Sequence, residues 1–289
     1  MKITRYLLFV AMCNFLLQGC NMINPKETIP IFIQIDSVQL LATNPSLHGS
    51  VSHKITDVWV YYNRQLLGAY QVPAKIPVLA SSNGELEILA GIWENGLSGT
   101  RAKYPFYTLD TFSFSPQPGK IISHQPVFNY RPVDSLNTSY FFEDFEQGNS
   151  FERLFGDTTF VKTSDPSEVF EGSWSDKLDL HDTITSGQAI SIQQFTLPSD
   201  KMCYVELNYK SDIPFVMRTK VTKSGASETI DMIGINASPS KWGKIYFNFG
   251  PYVATYQNAA FKFVFEAKLP DGVTQGKVLI DNFKVIHFN

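Results

Sequence analysis

Four aromatic side chains in the second half of this sequence have the chemistry to bind a ligand by stacking: Trp174, Trp242, Tyr246 and Tyr252. Flat rings pack on the apolar faces of sugars, and their polar edges form hydrogen bonds. Aromatic side chains also fill the cores of β-sandwiches, and this chain contains 23 Phe and 13 Tyr. Tyr246 is the best ligand candidate, because its sequence neighbours would face the opposite side of a strand.

Asp281 is the most notable carboxylate, because it shares a strand face with Leu279, Phe283 and Val285. If that face points inward, the carboxylate is buried and needs a partner. The partner of this carboxylate could be a cation, a set of backbone N–H groups or a lysine.

The other reactive residue types form no recognisable catalytic motif. The chain has no Gly-x-Ser-x-Gly elbow, phosphate-binding glycine loop or dinucleotide fingerprint, and its five histidines lack metal-ligand spacing. Cys203 lies in a strand-like stretch, which favours a buried structural thiol over a nucleophile. Sequence spacing does not test for a pair of glycosidase carboxylates, because the fold assembles such a pair.

The composition argues against nucleic-acid binding. The 289 residues include 24 basic and 27 acidic side chains, for a net charge of -3. Without residues 1–19 the chain loses Lys2 and Arg5 and no acid, which moves the charge to -5. Nucleic-acid binding needs a clustered basic surface to displace counterions.

The N-terminus carries Lys2 and Arg5, then a mostly apolar run that ends in Leu17-Gln18-Gly19-Cys20. The run is too short to span a bilayer as a helix. This pattern resembles the lipobox of bacterial lipoproteins. The resemblance implies that residues 1–19 are a signal peptide, that Cys20 is acylated, and that the protein is anchored to the bacterial outer membrane. The alternative is an ordinary secretory signal with a chance cysteine.

The remaining chain predicts two all-β domains. Residues 20–28 are a short polar tether, and residues 29–130 contain short alternating segments such as Ile29–Ile35, Val58–Tyr62 and Leu86–Ile92, separated by turn residues. This density predicts an Ig-like β-sandwich. Residues 131–139 lack an apolar period and contain a proline, so they are the predicted linker. Residues 140–289 show alternation again, as in Phe261, Phe263 and Phe265, and strands at jelly-roll density.

Two family resemblances accompany these patterns. The stretch from Val58 to Ile92, with Leu67-Gly68, Pro77 and Gly84, resembles PEGA-type β domains of bacterial envelope proteins, which implies a structural or binding module. The opening residues 141–146, the stretch 169–178, the strand 242–246 and the closing residues 280–285 resemble a galactose-binding-like jelly roll, the fold of many carbohydrate-binding modules. In such modules a structural Ca²⁺ often joins the first and last strands, which implies Glu146 and Asp281 as oxygen ligands.

Three functional hypotheses remain. The first is a non-catalytic envelope lipoprotein that holds a protein partner at the outer membrane. The second is a glycan-binding lipoprotein that uses the jelly roll and the aromatic residues. The third is a jelly-roll glycosidase or lyase, which rests on fold analogy alone.

Overall fold

The computed structural model describes residues 27–42, 44–132 and 138–289. Cys20, the signal peptide and most of the tether lie outside this part, as do residues 133–137 of the predicted linker. The described chain is all-β and forms two β-sandwich domains, which confirms the predicted fold class. Among the described residues, no helix has the length and apolar character needed to cross a membrane.

The N-terminal domain is built from ten short strands. These are β1 (Ile31–Ile35), β2 (Gln39–Leu41), β3 (Asp57–Tyr62), β4 (Gln65–Gln71), β5 (Ala74–Val78), β6 (Gly84–Trp93), β7 (Arg101–Lys103), β8 (Asp110–Phe114), β9 (Ile121–Ser123) and β10 (Val127–Asn129), with helix α1 (Pro45–His48) between β2 and β3. One sheet has the order β4-β3-β6-β7, with β8 also paired to β6. The order β5-β1-β9 forms a second sheet, and β2 pairs with β10.

The predicted periodicity explains why these segments form strands. Ile31, Ile33 and Ile35 of β1 are buried, while the residues between them are half-buried. Ile29 precedes the strand and is exposed, so the alternation begins two residues later than predicted. Asn63 and Arg64 both have positive φ, 48° and 66°, between β3 and β4. Two successive left-handed residues make a tight hairpin turn between these antiparallel strands.

The C-terminal domain is a sandwich of two larger sheets. Its strands are β11 (Thr138–Glu143), β12 (Phe151–Gly156), β13 (Val161–Thr163), β14 (Ser175–His181), β15 (Ser186–Ser191), β16 (Phe195–Thr196), β17 (Cys203–Ser211), β18 (Phe215–Lys223), β19 (Ala226–Ile235), β20 (Ser238–Asn248), β21 (Ala260–Lys268) and β22 (Gln275–Phe288), with helix α2 (Gly250–Thr255) after β20. We call the sheet β13-β14-β22-β17-β20, with β11 on β22, the interface sheet. We call the sheet β12-β15-β21-β18-β19, with β16 on β21, the open sheet.

The core of the C-terminal domain lies between these two sheets. Phe261, Phe263 and Phe265 of β21 all point into it and are fully buried, as their spacing of two residues along the strand predicts. Cys203 is buried in the same core with a free thiol, and burial raises its pKa above the ordinary value. Strand β11 begins at Thr138, two residues before the predicted domain start at Tyr140.

Part of the outer face of the interface sheet, on β17, β20 and the end of β22, is covered by the N-terminal domain. Tyr204, Tyr246 and Ile286 point away from their own domain and belong to the hydrophobic core of the N-terminal domain. The two sandwiches therefore share a buried interface on this part of the interface sheet, whereas side chains on the outer face of the open sheet, such as Arg218 and Glu266, are partly exposed.

Candidate functional site

A buried polar cluster lies where the two domains meet. We call it the interdomain cluster; it consists of Glu206, Lys244 and Lys284 from the interface sheet and Tyr104 and Tyr130 from the N-terminal domain, each at most 4% exposed. Tyr104 donates a 2.6 Å hydrogen bond to Glu206 Oε1, and Tyr130 donates a 2.9 Å bond to Oε2. Lys284 Nζ donates to the Tyr130 hydroxyl at 2.8 Å. The cluster thus links both domains through one carboxylate.

Lys244 completes the charge balance around Glu206. Its Nζ lies 2.6 Å from Glu206 Oε2, a contact with the distance of an ion pair but without an aligned hydrogen bond. Burial alone would raise the pKa of Glu206, but Lys244 and Lys284 outweigh burial and hold that pKa below its usual value. Glu206 is therefore a buried carboxylate whose charged form is favoured most by Lys244.

Burial has the opposite effect on the cations and phenols of the cluster. Burial and the nearby charge of Lys244 together lower the pKa of Lys284 to about 7, against the attraction of Glu206. Burial also raises the pKa of Tyr104 and Tyr130 well above the usual value, so both phenols stay protonated and act as donors. Because its members are buried, the interdomain cluster holds the domains together and does not contact a ligand.

Tyr246 lies beside this cluster, and its place differs from the sequence expectation. It does face the side opposite to Ile245 and Phe247, but that side is the domain interface, where Tyr246 is 1% exposed. Its hydroxyl shares a 3.1 Å hydrogen bond with the Tyr107 hydroxyl and accepts one from the Lys54 backbone N–H at 3.0 Å. Tyr246 is therefore part of the interface, where no ligand ring has access to it.

The other three aromatic candidates stay on the C-terminal domain but lie in different surroundings. Trp174 is half-buried, with Lys162 Nζ 4.7 Å from its ring centre. Trp242 packs against Phe170 at 5.2 Å, and Tyr252 stacks on Phe249 at 5.4 Å. The structure shows no ring contact that joins the three into one platform, so a ligand role for each of them stays a prediction.

The outer face of the open sheet carries a polar row that crosses four strands. We call this surface the open face; its row consists of Gln188 on β15, Glu266 on β21, Arg218 on β18 and Asp231 on β19. Gln188 Nε2 donates to Glu266 Oε2 at 2.6 Å, and Arg218 Nη1 lies 2.7 Å from the same oxygen. Arg218 Nε lies 2.7 Å from Asp231 Oδ1, again an ion pair without hydrogen-bond alignment. These contacts fix the polar side chains relative to one another.

Apolar groups flank this row. Val264 and Ile190 point to the same face, outside the sandwich core, and are buried beneath their neighbours. Phe155 on the edge strand β12 pairs in register with Gln188 and is 72% exposed. An exposed ring next to oriented amide, guanidinium and carboxylate groups is a surface that can contact both the apolar and the hydroxyl faces of a sugar.

The two carboxylates implied as calcium ligands make hydrogen bonds within the protein. Asp281 is fully buried; its Oδ2 accepts from Ser175 Oγ at 2.5 Å and its Oδ1 accepts from the Asn282 backbone N–H at 2.7 Å. Glu146 Oε1 accepts from the backbone N–H groups of Ser173 and Trp174 at 2.8 and 3.0 Å. These contacts match the alternative in which protein donors satisfy the carboxylates.

The calcium hypothesis has no further support in the residues that the structure describes. Within 27–42, 44–132 and 138–289, no group of three or more His, Cys, Asp or Glu side chains is arranged to hold a metal ion. Burial raises the pKa of Asp281 and of nearby Asp176 to about 7. Neither carboxylate is exposed, so neither is placed to reach a substrate as an acid or base. The calcium site stays a prediction.

Sequence reasoning missed the open face as a site. The signal was present, because Lys262, Val264 and Glu266 alternate with the core phenylalanines of β21. Alternation identifies the outward residues of a strand, but it does not tell which of the two sheets another domain covers. That information is tertiary, and it selects the open face over the face that carries Tyr246.

Comparison with known proteins gives distant structural likenesses. No family model matches the chain, and no curated protein matches it. Among solved structures, it is similar to a xylan-binding domain of carbohydrate-binding module family 22, with 15% identity and a TM-score of 0.37 over 51% of this chain and 92% of that one. The C-terminal family 22 module of Clostridium thermocellum Xyn10B shares 16% identity at a TM-score of 0.38, over 54% of this chain and 96% of that one.

A third likeness is to a family 61 module solved with β-1,4-galactotriose. It shares 13% identity at a TM-score of 0.30, over 50% of this chain and 86% of that one. At these values the likenesses do not define the ligand of this chain.

Proposed function

We propose that this protein is a non-catalytic glycan-binding protein whose C-terminal jelly roll contacts the sugar through the open face. The single observation that carries this proposal is the asymmetry of the C-terminal sandwich. The N-terminal domain covers the part of the interface sheet that carries Tyr246, whereas the open sheet presents the row of Gln188, Glu266, Arg218 and Asp231 beside Phe155.

The chemistry of this row suits a hydroxyl-rich ligand. Glu266 and Asp231 offer acceptor oxygens, and Gln188 and Arg218 offer N–H donors, so sugar hydroxyls meet both kinds of group. The ion pairs hold these side chains in place before the ligand arrives, which lowers the entropy cost of binding. Phe155 supplies an apolar ring at the edge of the row for stacking.

The test compares two glutamates on the open sheet. Glu266→Gln removes the charge that orients Gln188 and Arg218, and we expect it to weaken binding to soluble xylan, mannan or galactan by about tenfold in affinity gel electrophoresis. Glu228→Gln, on the exposed end of β19, is the matched control and should migrate like wild type. If both variants and wild type bind equally, or if none of the three glycans retards the wild type, the open face is not a glycan site.

The membrane anchor is the second part of the proposal. The N-terminal pattern ending in Cys20 supports acylation, and two or three acyl chains would hold the protein stably on a bacterial outer membrane. Cys20→Ser should move the protein to the soluble envelope fraction or leave its signal peptide uncut, and should abolish fatty-acid labelling. Equal labelling of wild type and variant would refute the lipoprotein hypothesis.

The alternative function is the binding of a protein partner in the envelope. Affinity purification from membranes with the native anchor tests it.

A further inference from the structure

A cleft of about 370 Å³ opens at the junction of the two domains, away from the open face. One wall is the turn between β6 and β7, with Asn95, Gly96 and Leu97. The other walls come from the edge of the C-terminal sandwich and include Tyr209, Met232, Asn236 and Phe247. Docking of the two domains therefore supplies one wall of the cleft.

Hydrogen bonds fix the turn against strand β20. Asn95 N–H donates to the Tyr246 carbonyl at 2.8 Å, and Asn248 N–H donates to Asn95 Oδ1 at 2.9 Å. Gly96 has a φ of +71°, and a side chain there would press on Ile245, since an added Cβ would lie 3.2 Å from its Cδ1. The wall formed by the turn is thus held in place from inside the interface.

The lining of the cleft is uncharged throughout, in a chain of which 18% is charged. Leu97, Met232 and Phe247 provide apolar contact area. An uncharged lining offers no compensation for removing a charged ligand from water, so it selects against ionic ligands.

Three polar groups on the walls have no protein partner within the described residues. They are the Asn95 Nδ2 amide, whose Oδ1 is already in use, the side chain of Asn236, and the Tyr209 hydroxyl. A wholly apolar occupant would leave these groups unpaired and desolvated, which is unfavourable. A ligand with an apolar face and neutral hydroxyls would pair them and also cover the apolar walls.

We propose that this interdomain cleft binds a neutral sugar unit and acts as a second glycan subsite that requires both domains. The inference rests on the proposed glycan-binding function and adds a site outside the jelly-roll face. Because Asn95 and Leu97 come from the N-terminal domain, this domain takes part in recognition and does not only cover the interface sheet.

The experiment follows methionine methyl signals in the full chain labelled with [13C-methyl]methionine, during titration with xylohexaose, mannohexaose and β-1,4-galactotriose. Met232 lines the cleft, Met217 is buried in the core, and Met202 is exposed elsewhere. Met232→Leu assigns the reporter signal. We expect a sugar that binds to shift the Met232 signal and to leave the Met217 and Met202 signals unchanged.

Variants separate the two sites. Leu97→Ala removes apolar contact area in the cleft and should weaken the binding that Met232 reports by about tenfold. Leu97 is 58% exposed, so folding should persist, and Leu79→Ala at a 64% exposed position is the matched control. Glu266→Gln on the open face should leave the Met232 shift intact.

Each outcome decides between the sites. If Glu266→Gln weakens sugar binding and no sugar shifts the Met232 signal, the cleft is not a glycan site and the open face remains supported. If Leu97→Ala weakens the Met232 shift and Glu266→Gln leaves it unchanged, the sugar binds in the cleft, and this conclusion does not depend on the result for the open face. A Met232 shift that Leu97→Ala leaves unchanged overturns the cleft, and no binding of any of the three sugars overturns both sites.

Discussion

At the scale of single residues, Lys284 shows how burial changes an ordinary side chain. Its ammonium group has Glu206, Lys244, Tyr130 and His48 around it, and it lies in an interface that excludes water. Removal from water disfavours the charged form, and Lys244 adds repulsion. The pKa of Lys284 in the folded protein is therefore about 7, against about 10.4 in an unfolded chain.

This shift predicts a pH dependence of stability. Between pH 7 and 10 the unfolded chain holds a proton on this lysine and the folded protein does not, so the free energy of unfolding rises with pH. The slope from this group approaches about 1.4 kcal/mol per pH unit. We expect Lys284→Met to remove most of this rise between pH 8 and 9, as measured by urea unfolding.

The chosen pH window isolates Lys284 from other buried groups. The raised pKa values of Asp176 and Asp281 have little effect above about pH 8, and the raised tyrosine pKa values act near and above about pH 10. Lys120→Met, at an exposed position, is the control and should keep the wild-type slope. Parallel slopes for wild type and Lys284→Met would contradict the assignment.

At the scale of elements, the pairing of the first and last strands of the C-terminal domain organises its carboxylates. Strands β11 and β22 pair in register from Thr138↔Phe288 to Glu143↔Phe283. Asp281 lies two residues beyond this pairing on β22, and Glu146 follows β11 in the chain. Asp281 bonds to Ser175 at the start of β14, so one buried carboxylate joins two strands of the interface sheet.

These bonds predict the result of a calcium test. Because protein donors already occupy both oxygens of Asp281, we expect the wild type to melt at the same temperature with chelator and with millimolar Ca²⁺. Asp281→Asn should lower the free energy of unfolding by about 1–3 kcal/mol in both conditions through a lost hydrogen bond. Asp271→Asn, at an exposed turn, is the control. A melting temperature that rises with Ca²⁺ in wild type and not in Asp281→Asn would instead support a metal site.

At the scale of the whole molecule, the two domains depend on the interface to different degrees. The core of the C-terminal domain consists only of residues from that domain. The core of the N-terminal domain includes Tyr204, Tyr246 and Ile286 from the C-terminal domain. The interface therefore completes one core and covers the outside of the other.

This asymmetry predicts the behaviour of fragments. Residues 138–289 should unfold cooperatively on their own, at a lower denaturant midpoint than the full chain because the interface sheet is exposed. Residues 27–132 should be the less stable fragment, since three buried side chains are missing from their core. Circular dichroism during urea unfolding measures both. A fragment 138–289 without a cooperative transition would show that the two regions form one folding unit.

The sequence alone predicts much of the secondary structure and the fold class. Alternating apolar residues in Ile31–Ile35 and Phe261–Phe265 identify strands with one buried face, because side chains alternate across a strand whatever packs against it. The turn at Asn63 and Arg64 is local and can be read from neighbouring residues. The burial of Asp281 was predicted for a reason that the structure contradicts, because a bulge at Asn282 turns Phe283 and Val285 into the core and leaves Asp281 on the opposite strand face, where it accepts a hydrogen bond from Ser175.

Only the tertiary structure decided which outward faces are free. Tyr246 and Glu266 both lie on outward strand faces of their own sandwich, and nothing local distinguishes them. The N-terminal domain covers Tyr246 and leaves Glu266 in the polar row of the open face. Docking also brings Glu206 to Tyr104, more than a hundred residues earlier, and places Leu97 over the edge of the other domain. These contacts depend on the relative position of two domains, and strand periodicity carries no information about that position.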